Sequence, residues 1–115
     1  MENSYYKMYI AVLDEVPDYI TPTLVAHSVL GAHLEFIQDE FEHKETYLNW
    51  LENSFRKCVV KVNQKEFDKI NGTLVTYLGH ENKTLDGKKS CAVILPVMSD
   101  NIPNVLKFSK LWNVS

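Results

Sequence analysis

Tyr6-Lys7-Met8-Tyr9-Ile10-Ala11-Val12-Leu13, followed by Asp14-Glu15-Val16-Pro17-Asp18-Tyr19-Ile20 and then by Thr21-Pro22, reads as a strand, a loop and a helix start in succession. The first segment is apolar almost throughout, which predicts a largely buried strand. Pro17 breaks the chain. Thr21 can accept a capping bond, and Pro22 suits a first helical position, where its missing N–H would be unpaired in any case. In the run that continues to Gln38, Ala26, Leu30, Leu34, Ile37 and Phe41 recur at the spacing of one helix face. Val25, Val29, Ala32 and Phe36 widen that face to about half the circumference, so the expected helix is buried against a sheet. Gly31 costs its interior about 1 kcal/mol relative to alanine, which points to a close approach to a neighbouring backbone.

Further along, Tyr47, Trp50, Leu51 and Phe55 predict a short second helix, and Lys57 to Val62 a second strand. Asn63 and Glu66 are spaced as a capping box for a helix that packs Phe67 and Ile70 and stops at Asn71-Gly72. Thr73 to Leu78 reads as a third strand, Gly79 to Lys89 as a polar loop and Ser90 to Val97 as a fourth strand. Pro103 to Leu111 reads as a closing helix that packs Val105, Leu106 and Phe108. Strands alternating with helices imply crossover connections. The expected fold is α/β, three-layer α/β/α, with a four-stranded mixed, mostly parallel sheet and a single domain over residues 1–115.

At 115 residues the chain has room for one core. With 45% hydrophobic and 23% charged residues, it has the composition of a globular protein. No apolar run reaches the roughly 18 residues of a membrane helix, and the first residues lack a signal-peptide pattern. A cytoplasmic protein with no membrane partner is expected. Cys58 and Cys91 sit in apolar runs without metal-ligand spacing, so both are expected to be buried free thiols. Between Asp14 and Glu52 nine carboxylates face the single cation Lys44, whereas Arg56 to Lys89 is rich in lysine. Solvated faces account for both, although an acidic lobe also suits a protein partner. Tyr47, Trp50 and Trp112 are expected in the core rather than in an exposed aromatic patch.

The strand ending in an acid, the short loop and the helix carrying Ala26-His27-Ser28 resemble the opening of the type 2 peptidyl-tRNA hydrolase family. Lys57 to Asn63 with Glu66-Phe67 is similar to that family's second strand and following acidic helix. Ser90 to Pro96, running into Phe108-Ser109-Lys110-Leu111-Trp112, is similar to its last strand and terminus. The resemblance covers most of the chain in order and spacing, and implies a divergent bacterial or phage-type member. Two departures stand out. The family carries lysines in the first loop, where this chain has none. The family also has an Asp-Ala-Gly-x-Thr-like motif after strand three, where this chain reads Gly79-His80-Glu81-Asn82-Lys83-Thr84-Leu85-Asp86-Gly87, with His80 or Glu81 at the aspartate position.

Sites in such sheets form where strand ends meet helix starts. His27, His80 and Glu81 are therefore the candidate catalytic groups, His27 or His80 as a base. Asp14, Asp18, Thr21, Ser28, Asn82 and Thr84 are the candidate binding groups. His33 is expected in the core. His80, Glu81, Asp14 and Asp18 lack tight ligand spacing, so no metal is expected, and no glycine-rich phosphate loop or other cofactor signature is present. Ser28 lacks the flanking glycines of a nucleophile elbow. The function expected is a non-catalytic binding or regulatory module on the hydrolase scaffold, holding a protein partner or small ligand. The alternative is an aminoacyl- or peptidyl-tRNA ester hydrolase, with tRNA binding weakened by the missing lysines. A homodimer is also expected, because so apolar a helix leaves a face to share.

Overall fold

The computed structural model describes residues 4–80 and 87–112. β1 (Tyr6–Leu13) leads to α1 (Thr21–Phe36) and α2 (Lys44–Glu52). β2 (Arg56–Val62), α3 (Gln64–Thr73), β3 (Thr76–His80) and β4 (Lys89–Met98) follow. α4 (Asn104–Lys107) and the two-residue β5 (Lys110–Leu111) close the described chain. The strands form one mixed sheet in the order β3-β4-β1-β2-β5.

The sheet departs from the expected one in two ways. It has five strands rather than four, and its only parallel pair among the described residues is β1–β2, with Lys7 opposite Arg56 and Leu13 opposite Val62. β4 pairs antiparallel with both β1 and β3, and β5 runs antiparallel to β2. The fifth strand takes the end of the expected closing helix. α4 ends after one turn, and Ser109 donates its hydroxyl back to the Leu106 carbonyl at 2.7 Å. The chain then lies along the free edge of β2, where Trp112 N–H donates to Val59 O at 2.9 Å. Leu106 is buried as expected, but Phe108 is 76% exposed.

β1 is the central strand, and every residue from Met8 to Leu13 is buried. Tyr47 and Trp50 of α2 are also core, Trp50 donating its indole N–H to Arg56 O at 2.7 Å. α3 carries the expected capping box. Asn63 Oδ1 accepts from Glu66 N–H and Glu66 Oε1 accepts from Asn63 N–H, both at 2.8 Å. This helix runs through Gly72 to Thr73, whose hydroxyl donates to Lys69 O at 2.7 Å, so β3 starts later than expected and includes His80.

α1 is where the pattern misleads most. Its buried row is Leu24, Ser28, Ala32 and Phe36, while Leu30 and Leu34 are 67% and 65% exposed and Ala26 is exposed too. The expected apolar face is thus largely the outer one. The reason is fit. α1 lies against β3 and β4, and small residues let it come close. A Cβ at Gly79 would stand 1.8 Å from Ser28 Oγ, and one at Gly31 would stand 2.3 Å from the Tyr77 hydroxyl oxygen. The approach expected of Gly31 is therefore real, but the neighbour is a tyrosine ring. Thr21 is not the cap. Ile20 holds that position without a side-chain bond, and Thr21 donates its hydroxyl to Pro17 O at 2.9 Å. The helix stops at Phe36, five residues short of Phe41, because Asp39 and Glu40 would crowd the negative end of its dipole. Phe41 folds back, with its ring stacked on Phe36 at 4.9 Å.

Gly79→Ala is expected to cost about 3 kcal/mol, because the new methyl meets backbone-anchored Ser28 atoms in a packed layer. Gly72→Ala, whose Cβ would meet nothing within 4 Å, is expected to raise stability by up to about 1 kcal/mol. Urea melts of both variants check the pair.

Candidate functional site

β1, β2 and β3 end on the same side of the sheet, and β4 starts there. β1 and β3 are not neighbours, since β4 lies between them. Their loops nevertheless touch. Lys88, just before β4, forms an ion pair with Glu15 in the loop after β1. A lysine from the second loop thus supplies the cation that the first loop lacks in sequence.

Below this contact, α1 and β3 bring His27 and His80 together. Their ring centroids are 6.3 Å apart, edge to face. His27 is exposed and His80 half-buried, and His80 is a strand residue rather than a loop residue. His80 Nδ1 is shut off from solvent and has no hydrogen-bond partner. Glu81, Asn82 and Thr84 lie outside the described residues. Asp14 and Asp18 are both exposed. Thr21 and Ser28 are buried and committed to local bonds, Ser28 donating to Leu24 O at 2.7 Å. Neither can meet a ligand without rearrangement. His33 is structural, its Nδ1 2.8 Å from the Tyr47 hydroxyl.

The thiols are shielded to different degrees. Cys91 is buried beside Ser28, and burial pushes its pKa from 9.0 up to about 11, with the Ser28 hydroxyl offsetting part of that rise. Cys58 is half-buried rather than buried, and desolvation raises its pKa as well. Neither is poised as a thiolate nucleophile.

At the same end of the sheet, but across β4 and β1 from the histidines, a groove of about 300 Å³ opens between Asp14, Lys61, Asn63, Glu66, Phe108 and Lys110. It sits at the carboxyl ends of the parallel pair, which Asp14 N–H joins by donating to Val62 O at 2.8 Å. Ligands of α/β sheets gather at such ends. Glu66 Oε1 is engaged in the capping box but its carboxylate keeps its charge, so Asp14 and Glu66 together with Lys61 and Lys110 are the charged groups a ligand would meet. The groove depends on β5, which brings Lys110 to Lys61. A two-residue strand gave no signal in the sequence. Among the described residues no three His, Cys, Asp or Glu side chains converge as a metal set, and no helix is long and apolar enough to cross a membrane. No protein-family model and no curated protein matches the chain.

Because the Cys91 pKa is raised on folding, the neutral thiol favours the folded state. That contribution is complete below pH 9 and is lost as the pH rises from 9 through about 11, by at most about 3 kcal/mol. Denaturation curves of wild type and Cys91→Ala across this range are expected to converge, with the variant showing the shallower fall.

Proposed function

We propose that this chain is a non-catalytic binding module built on a scaffold like that of the type 2 peptidyl-tRNA hydrolases, cytoplasmic and of bacterial or phage type. The observation that carries this reading is the state of the histidine pair. Among the described residues neither His27 nor His80 has a carboxylate or hydroxyl to orient its ring, and the nearby hydroxyl and thiol, Ser28 and Cys91, are buried. A general base needs both an orienting partner and a reachable proton. A binding surface needs neither. The groove lined by Asp14 and Glu66 and by Lys61 and Lys110 suits a small polar ligand, or a protein side chain, carrying both signs of charge. The three-layer arrangement that the scaffold implies is supported by α1 lying on β3 and β4 while α3 lies against β1, β2 and β4.

The hydrolase reading has one observation in its favour. Lys88 stands beside Glu15, and His27 beside His80, at the sheet end where the resemblance would put a peptidyl ester. A turnover assay on peptidyl-tRNA separates the two readings. Release by the wild type no faster than by His80→Ala is expected. Turnover that His80→Ala abolishes would overturn the binding reading. In the same preparation, tRNA is expected to bind no more tightly than the roughly 10⁻⁴ to 10⁻⁶ M of non-specific contacts.

A further inference from the structure

β5 sets two lysines directly against each other. The bond from Trp112 N–H to Val59 O at 2.9 Å makes residues 59 and 112 a hydrogen-bonded pair of the antiparallel β2–β5 ladder. Two residues along, Lys61 and Lys110 are the next such pair, with Cα atoms roughly 5.5 Å apart and side chains on one face. Like charges placed this way destabilise a ladder. β5 is two residues long and has few bonds to set against that repulsion. Lys61 is half-buried and Lys110 exposed, and among the described residues neither forms an ion pair with a carboxylate.

The same groove holds the opposite sign. Asp14 and Glu66 line it, and neither forms an ion pair among the described residues. Glu66 commits Oε1 to Asn63 N–H and keeps its second oxygen for another donor. Two cations and two carboxylates thus share about 300 Å³ without pairing with one another. That charge set discriminates between ligands. A phosphate would be held by the lysines and opposed by the carboxylates, and a polyamine the reverse. A ligand with both charges, close together, satisfies all four groups. Phe108 adds an apolar wall, since its ring lines the groove and is 76% exposed.

We propose that the groove binds a free α-amino acid with an apolar side chain. Its carboxylate bridges Lys61 and Lys110 and relieves their repulsion. Its ammonium is taken by Asp14 and Glu66, and its side chain lies on Phe108. An α-amino acid carries both charges on one carbon, so both are met at once. The groove is at the small end of the roughly 300–1,000 Å³ of ligand sites, which suits one amino acid rather than a peptide. This assignment rests on the binding reading and narrows it to one ligand class.

Calorimetric titration of the full chain with phenylalanine and with leucine is expected to show saturable binding at millimolar concentration or below. N-acetylphenylalanine lacks the ammonium and phenylalanine amide the carboxylate, and each is expected to bind roughly tenfold more weakly or worse. Lys110→Met is expected to weaken phenylalanine binding to the same degree, yet to raise the unfolding midpoint of the unliganded chain, because the opposed charge is gone. A wild type that binds neither amino acid overturns the assignment, and so does a Lys110→Met variant that binds as the wild type does. N-acetylphenylalanine binding as tightly as phenylalanine would make the groove an anion site, and tighter binding of a phenylalanyl-phenylalanine dipeptide would make it a peptide site; either result overturns the assignment too. The ligand series needs only the wild type, so it decides even if the variant does not fold. The broader binding reading is judged separately, by the peptidyl-tRNA turnover assay.

Discussion

Ser28 lies beneath Gly79, and the placement of α1 depends on that contact. The serine is fully buried, donates its hydroxyl to Leu24 O, and leaves no space for a side chain on the strand above it. A helix can approach a strand this closely only where both surfaces are small. Once it does, rotation about the helix axis is settled. Leu24 and Phe36 go into the core, Gly31 passes the Tyr77 ring, and His27 is carried to His80. The histidine pair is thus a by-product of packing as much as a chemical arrangement, which fits rings that no described carboxylate or hydroxyl orients.

That contact also explains why the helix was the hardest element to read. Counting apolar residues selects Ala26, Leu30 and Leu34, because leucine signals burial more strongly than serine or alanine. The sheet selects by shape instead, and accepts Ser28 and Ala32 in the row that the leucines were expected to fill. Where local chemistry alone determines the outcome, the sequence reads well. The Asn63–Glu66 capping box forms with both of its bonds, and the unbroken apolar run of β1 is central and buried. Where a distant partner determines it, the sequence is silent. Lys110–Leu111 is a strand only because the edge of β2 is open to it, and no pattern two residues long can announce that.

The site divides along the same line. A shared cleft for the two loops is expected only if β1 and β3 are adjacent, and they are not; His27 and His80 meet because α1 lies over β3. Thr21 and Ser28 read as polar groups available to a ligand, yet each satisfies its hydroxyl on a carbonyl four residues back. Short hydroxyl side chains compete for local backbone acceptors, and spacing alone does not reveal when they succeed. Lys88 was counted only as part of a basic half, and its meeting with Glu15 depends on the fold bringing positions 73 residues apart together.

β1, at the centre of the sheet, precedes the other described strands, and one of its two neighbours, β4, comes only after β2 and β3. Tyr6 pairs with Met98, and Tyr5 N–H donates to Ser99 Oγ across 94 residues of chain. Its other neighbour, β2, comes only after two helices. Until β4 is synthesised, β1 has a strand partner on one edge only. Sheets closed by such long-range pairing fold slowly, because the entropy of closing a large loop must be met before the pairing contributes. During synthesis, therefore, the nascent chain carries the apolar β1 with one edge unpaired until β2, α3 and β3 have all been made.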